Sequence, residues 1–598
     1  MIGPSIEACD EVHKEKYRGQ GENFREAMNR ISSALQDDHD HYMAFRKILL
    51  NMRFLPAGRV QSSIGSLKTI TPYNCFVMPT IHDSFTDGPT EEELKNLAVT
   101  DHPPLSIMDT AKAAAITMRQ GGGVGYDIST LRPRGDYIKS VQSVTDGPMA
   151  FAPIYDAVCR ATSSAGNRRG AQMLVMRCDH PDIEIFIRAK QSEKNVPYDY
   201  RPLRGFNMSI AVTDALMECL QSGKPFPLTF CGKVYREVDA AALWEMIMRG
   251  TYDWAEPGVL FIDTINRMNN LWYCEKIAAT NPCGEQPLPP YGACLLGSWN
   301  LTQYLNDDKT FNYDQLIEDI PHVVRAMDNI VDRARYPLKE QKKEAQTKRR
   351  MGLGVTGLSN CIEAMGALYG SIEFIELEDK ILRFITRNTY LASVDLAKQK
   401  GPFAYFDQKY LKGEFIKTLD EDVQDRIGKY GIRNSHLTSI APTGTISFCA
   451  DNVSSGIEPV FGYTQKRRVI MADGVKIVDV PDYGVGTLKV HGKRAQDVTA
   501  KEHIAVLATA QKNIDSSVSK TCNVPTNYPY SEFKDLYISA FELGAKGCTT
   551  YRPNGNYDEV IKSADENTAN NVEKKDILEG EACFFDPITG QRTGNCAE

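Results

Sequence analysis

From about residue 70 the chain alternates short apolar segments punctuated by Gly and Pro, such as YNCFVMPT, GGGVGYDIS and GPMAFAPIYDAV, with longer stretches of helical periodicity. Short buried strands interleaved with amphipathic helices are the signature of an α/β fold. No Gly/Ser-rich or Pro-rich linker and no repeat of fixed period interrupts this texture. One large body is therefore expected over 69–555, although the length alone, 598 residues, would allow about four domains. Before it, residues 1–68 read as a helical region, with Phe24, Met28, Ile31, Leu35, Met43 and Ile48 at mostly helical spacings across 23–50. Further helices are expected over 237–250, 312–335, 372–400, 498–513 and 531–545, with GVLFIDT as a buried strand. From 556 to 598 the composition turns polar and acidic, as in a mobile tail.

Lys+Arg number 69 against 77 Asp+Glu, a net charge of −8 and a pI of about 5.8. No basic surplus exists to bind nucleic acid through counterion release. No apolar run approaches the length of a membrane span and no secretory leader pattern opens the chain, so a cytoplasmic protein is expected. The 15 cysteines are too dilute for a disulfide scaffold and odd in number, which points to thiols in a reducing compartment. Each cysteine is then judged on its reactivity.

Two glycine patterns stand out. Gly352-Leu-Gly354-Val-Thr-Gly357 matches a dinucleotide fingerprint in letters, but the charged, helix-prone KEQKKEAQTKRR precedes it where a strand should be. These glycines are read as close packing between elements. The run Gly121-Gly122-Gly123-Val-Gly125 is either a tight turn or a backbone wall against a ligand.

The richest stretch is NPCGEQPLPPYGACLLGSWNL, residues 281–301. Asn281, Cys283 and Glu285 are two residues apart, so an extended segment would present amide, thiol and carboxylate on one face. A thiol between a hydrogen-bond donor and a potential base suits a nucleophile or a radical carrier. A proline-rich loop with an incidental Cys fits the spacing equally well. No Cys-x-x-Cys or His pairing accompanies it, so no metal site is expected.

The string NPCGEQPLPPYG-x-C resembles the active-site loop of ribonucleotide reductases, most closely the adenosylcobalamin-dependent class II enzymes of the dimeric type. The similarity continues in family order through PYNCFVMP, GGGVGYDISTLRPRG, NRRGAQMLVMRCDHPDIEIFIRAK, FNMSIAVTD, RRMGLGVTGL and APTGTIS. The resemblance implies a ten-stranded α/β barrel of two five-stranded halves around a central finger loop. It implies that Cys283 carries the thiyl radical that takes the ribose 3′ hydrogen, that Glu285 takes the 3′-OH proton, and that Asn281 holds the ribose hydroxyl. Cys75 and Cys294 match the pair that supplies reducing equivalents and closes to a disulfide. Thr443, Gly444, Thr445 and Ser447 match the loop that holds the substrate phosphates. Asp83 matches an acid that binds the specificity effector, a deoxynucleotide or ATP, and Arg168 falls on the loop that relays its identity. Ahead of that loop's glycines, Ser163 and Ser164 stand where a Lys-Gln pair is common, a departure in the coupling region.

Class I enzymes import the radical from a second subunit through adjacent tyrosines, and KGCTTYRPNG offers Tyr551 alone. The class III glycyl motif is missing from ITGQRTGNCAE. Elimination together with the resemblance implies adenosylcobalamin, and since class II enzymes do not need the Asp-x-His-x-x-Gly pattern, its absence here implies base-on binding. Cys583 and Cys596, separated by 12 residues, match a tail dithiol recharged by a thioredoxin-like donor, and fit half of a metal site or two idle thiols as well. A homodimer is expected. Cys75 stands too early for an N-terminal ATP-cone, so no dATP shut-off is expected. The reaction implied is reduction of ribonucleotides, as diphosphates, to deoxyribonucleotides for DNA synthesis. The rival readings are a class I large subunit fed by a partner's radical and a nucleotide-binding protein of the same fold without the chemistry.

Overall fold

The computed structural model describes residues 2–95, 102–163, 171–191, 202–471 and 474–553, with two short strands at 584–585 and 592–593. Its strands are β1 (Phe54–Pro56), β2 (Cys75–Val77), β3 (Gly123–Asp127), β4 (Gln172–Arg177), β5 (Phe206–Val212), β6 (Gly258–Phe261), β7 (Ala293–Cys294), β8 (Leu296–Asn300), β9 (Gly352–Thr356), β10 (Thr521–Asn523) and β11 (Gly547–Tyr551), beside several small hairpins. Eight of them form one sheet in the order β7-β2-β3-β4-β5-β6-β11-β10. From β2 to β6 every neighbour is parallel, and helices such as Ile107–Arg119, Ala152–Ser163 and Ala240–Trp254 make the crossovers that parallel pairing requires. These strands are buried almost throughout, as sheets covered on both faces must be.

A second sheet has the order β1-β8-β9, with β8 parallel to β9 and β1 antiparallel to β8. Two single parallel bridges, Leu353 with Thr438 and Ile440 with Val518, lie beyond it. The α/β class is as expected. No ladder of regular strands among the described residues closes ten of them into a ring.

The expected helices form at Ala240–Trp254, Tyr313–Arg333, Ile372–Lys400, Ala500–Lys512 and Tyr530–Glu542. Residues 23–50 differ. They make two helices, Phe24–Leu35 and His39–Leu50, because the Asp38 side chain accepts from the His41 N–H at 2.8 Å and starts a new helix where the sequence pattern only loosens. The N-terminal region is also not purely helical, since its strand β1 pairs with β8. Its first helix, Glu7–Tyr17, packs Cys9 and Val12 in a small core with Ile446, Phe448 and Cys449, and Asp451 accepts from Ser5 N–H at 2.8 Å. The N-terminus thereby braces the APTGTIS segment. No described helix is long and apolar enough to cross a membrane.

Candidate active site

The cysteine loop is a hairpin. Ala279–Thr280 pairs antiparallel with Pro287–Leu288, and residues 281–286 turn between them. The expectation of an extended segment is therefore corrected: Asn281, Cys283 and Glu285 come together through a tight turn and not through strand alternation. Gly284 takes φ +80°, a left-handed conformation that only glycine adopts cheaply, and its N–H donates to the Asn281 carbonyl at 3.1 Å. The Asn281 side-chain oxygen accepts from Gln286 N–H at 3.0 Å. Its Nδ2 has no partner.

The hairpin sits against β3. A β-carbon at Gly125 would collide with the Thr280 carbonyl oxygen, and one at Gly123 would lie 3.2 Å from Cys75 Sγ and 3.3 Å from Pro282 Cγ. The glycine run is thus a wall of close backbone approach, though what it meets is the chain's own hairpin. Across the hairpin, Asn207 Nδ2 on β5 donates to the Pro282 carbonyl at 2.9 Å. The Glu285 carbonyl accepts from Ser439 Oγ at 2.9 Å and from Ser517 N–H at 3.0 Å. Those two segments are tied in turn by Asp515, whose carboxylate accepts from Leu437 N–H at 2.7 Å and Thr438 N–H at 3.0 Å. On β9, a β-carbon at Gly354 would strike the Ser439 carbonyl, which is the close packing read from its sequence pattern.

Glu285 is buried and its Oε2 has no hydrogen-bond partner. Burial pushes its carboxyl up to about 7, against a smaller pull downward from Asn281. Cys283 is half-buried at the turn and faces a half-open cavity shared with Asn207, Ser209, Gly258, Ser519 and Thr549.

Cys75 and Cys294 stand directly opposite each other on β2 and β7. Antiparallel partners have Cα atoms about 4.5–5.5 Å apart, inside the range a disulfide spans. Burial raises the Cys294 thiol above its ordinary range, and contact with Cys75 and the nearness of Glu285 and Cys283 add to it. One buried thiol therefore feels all three other groups, so the four form one cluster.

The APTGTIS hydroxyls are placed less simply. Thr443 Oγ1 and Ser447 Oγ are 2.8 Å apart and both bond Thr356 Oγ1, at 3.0 and 2.6 Å. Thr443 Oγ1 also accepts from Gly456 N–H at 2.7 Å. Two of the three hydroxyls expected to cradle phosphate are thus engaged with β9, while Thr445 is half-buried beside Gly444 at the start of the short helix Gly444–Phe448. Asp83 is paired with Arg132 at 2.6 Å. Ser163 ends helix Ala152–Ser163; Ser164, Arg168, Cys583 and Cys596 lie outside the described residues. Sequence reading missed Asn207, Thr356, Ser439, Asp515 and Ser517. All but Asp515 and Ser517 fall inside or beside segments it quoted, but neither spacing nor residue type distinguishes a loop-pinning hydroxyl or amide from any other.

Known proteins resemble this chain over most of its length. Residues 97–551 match the family model described as ribonucleotide reductase, barrel domain. The chain is 31% identical over 588 residues to the vitamin B12-dependent ribonucleoside-diphosphate reductase of Thermoplasma acidophilum, covering 93% of this chain and 71% of that protein. It is 31% identical over 593 residues to the protein of the same name from Mycobacterium tuberculosis strain CDC 1551, covering 92% of this chain and 79% of that one. The vitamin B12-dependent ribonucleotide reductase of Streptomyces coelicolor is 27% identical over 561 residues, 79% of this chain and 57% of its own length.

Proposed function

The chain belongs to the ribonucleotide reductase family, and we propose that it reduces ribonucleoside diphosphates to deoxyribonucleoside diphosphates at the Cys283 loop, with adenosylcobalamin as cofactor. The observation that carries the reading is a pair of buried atoms that no well-formed hydrogen bond satisfies, Asn281 Nδ2 and Glu285 Oε2, from the residues two before and two after Cys283 in the same turn. A buried donor and acceptor left open cost free energy unless a ligand completes them. A ribose with adjacent hydroxyls offers both complements.

In this reading Cys283, as a thiyl, takes the 3′ hydrogen atom of the ribose, and the turn holds its sulfur at contact distance while the surrounding hairpin excludes water. Glu285 takes the 3′-OH proton, and burial makes it a strong enough base to do so near neutral pH. Asn281 Nδ2 donates to a ribose hydroxyl. The 2′-OH leaves as water. Cys75 and Cys294 deliver two electrons and two protons and close to a disulfide, which the tail thiols Cys583 and Cys596 reopen with equivalents from a thioredoxin-like donor. The phosphates rest on the Gly444 and Thr445 end of helix Gly444–Phe448, with Thr443 and Ser447 shaping that end through Thr356.

The residues around Cys283 suit a corrinoid in chemistry. Ser209, Gly258, Ser517, Ser519, Gly547 and Thr549 give the cavity small walls, and it opens outward. The lining contains no histidine, which suits a cofactor that keeps its own base on the metal. Bound there, adenosylcobalamin supplies the one-electron oxidising equivalent that removes the hydrogen atom from the Cys283 thiol.

The same reading closes the two sheets into one ten-stranded barrel of two halves. Five parallel strands, β2 to β6, form one half. In the other are β11, β10 with its extension to Val518, segment 438–440, β9, and β7 with β8. The bridges Leu353 to Thr438 and Ile440 to Val518 support it. Residues 69–555 make this catalytic body, 1–68 its helical brace and 556–598 the tail. Asp83, held by Arg132, binds the effector, and the loop that includes Arg168 relays its identity. Exposed Phe85 and Met108 at helix Ile107–Arg119 support a homodimer, and thiol cycling suits the reducing cytoplasm.

Anaerobic turnover of ribonucleoside diphosphates by this chain alone, with adenosylcobalamin and a dithiol, tests the proposal. Deoxyribonucleoside diphosphate should form without a second subunit. Formation only when a radical-bearing partner subunit is added would assign the chain to class I.

A further inference from the structure

A cleft of about 800 Å3 opens between the C-terminal end of helix Ile107–Arg119 and residues 334–342. Arg119, Arg335, Lys339 and Lys342 line it, together with the apolar faces of Ile116, Leu338 and Tyr336. Among the described residues Arg119, Arg335 and Lys342 make no ion pair, and Lys339 reaches only Glu340, at 3.7 Å. In a chain of net charge −8, four cations gathered around an apolar floor ask for an anionic ligand with apolar groups of its own.

The cleft wall also connects to the segment that carries Cys75. Tyr336 in its wall bonds Tyr73, hydroxyl to hydroxyl, at 2.7 Å, and Tyr73 lies two residues before Cys75. Gln120, another wall residue, accepts at its carbonyl from Thr71 N–H at 3.1 Å, and Gly123 just beyond it lies against Cys75 Sγ.

One segment of this chain has the complementary character. Around Cys583, Asp576, Glu579, Glu581 and Asp586 bracket Phe584 and Phe585. The 30 residues from Asn554 to Cys583 would span roughly 30 Å as a flexible chain and about 100 Å at full stretch. We propose that the cleft docks this acidic Cys583 segment and so presents the tail dithiol to the Cys75–Cys294 disulfide. The inference rests on the tail's reducing role given above and adds where the tail binds. In the docked state the Cys583 thiolate attacks one sulfur of the Cys75–Cys294 bond, forming a mixed disulfide and freeing the other cysteine. The Cys596 thiolate then attacks the Cys583 sulfur, closing Cys583–Cys596 and freeing the second cysteine. Two electrons pass to Cys75 and Cys294, and the two protons lost by the tail thiols balance the two they gain.

The test uses the full chain oxidised at Cys75–Cys294, with no cofactor or substrate. Free Cys75 and Cys294 thiols are counted over time by alkylation and mass spectrometry, once with a thioredoxin-class protein and once with dithiothreitol, which reaches the pair without the tail. In Lys339→Glu/Lys342→Glu the ratio of the protein-driven rate to the dithiothreitol-driven rate should fall about tenfold, and the salt dependence of the protein-driven rate should flatten. Adding Glu579→Lys/Glu581→Lys should restore most of the ratio. An unchanged ratio in the lysine variant would overturn the docking site. If Cys583→Ser leaves the protein-driven rate intact, the tail's reducing role itself fails, an outcome the lysine variant does not produce.

Discussion

Glu285 shows how one residue's surroundings set both activity and stability. Its carboxyl is raised to about 7 chiefly by burial, so it is neutral in mild acid and ionises only as pH passes about 7. As the proposed base for the 3′-OH proton it must be ionised, and turnover should therefore rise with pH to a plateau above about 7, read from the initial-rate profile of substrate-saturated enzyme. The stability effect has the opposite sign. A carboxyl whose folded pKa lies above its unfolded value of 4.5 binds its proton more tightly when folded, so stability is lost as pH climbs from about 4.5 to 7 and stays lost above. Glu285→Gln should abolish turnover yet stabilise the fold at pH 8 by up to about 3 kcal/mol, with the gain vanishing near pH 4, as measured by urea denaturation at both pH values. The sequence places amide, thiol and carboxylate together by spacing, which was enough to single them out. It does not reveal that Asn281 Nδ2 and Glu285 Oε2 are left open, because that depends on which partners the fold withholds.

At the scale of elements, the hairpin that carries Cys283 is held by contacts that bulk at one position would break. A methyl group at Gly125 would meet the Thr280 carbonyl, and overpacking of this kind costs roughly 1–3 kcal/mol. Gly125→Ala should therefore remain folded but displace the hairpin, with turnover falling about a hundredfold while the far-ultraviolet circular dichroism is unchanged. Periodicity located the long helices well, since an apolar stripe over 20 or more residues survives almost any tertiary setting. It failed at 23–50, where Asp38 caps a second helix, and at 281–286, where Gly284 turns the chain that two-residue spacing had implied was straight. Both misses are single-residue backbone decisions, invisible to a pattern averaged over a window.

Over the whole molecule, the proposed redox pair joins residues far apart in the chain. Cys75 and Cys294 meet only because β7 returns antiparallel to β2, and nothing in their local sequence predicts it; likeness to a known family supplied the pairing. With Cys294→Ser the pair has no second sulfur, so sustained turnover should fall by about two orders of magnitude or more while nucleotide affinity by equilibrium dialysis stays near wild type. The fold class was legible because alternation of strands and helices is a global property of the chain. The order of strands and the bridges beyond the second sheet were not, because single bridges such as Ile440 to Val518 leave no periodic trace. The most direct test of the account is rapid-freeze electron paramagnetic resonance of the chain mixed anaerobically with adenosylcobalamin, substrate and effector, wild type beside Cys283→Ser. The account predicts a cobalt-coupled thiyl signal that forms as fast as turnover in the wild type and is absent, along with product, in the variant; the same signal or continued deoxyribonucleotide formation in Cys283→Ser would contradict it.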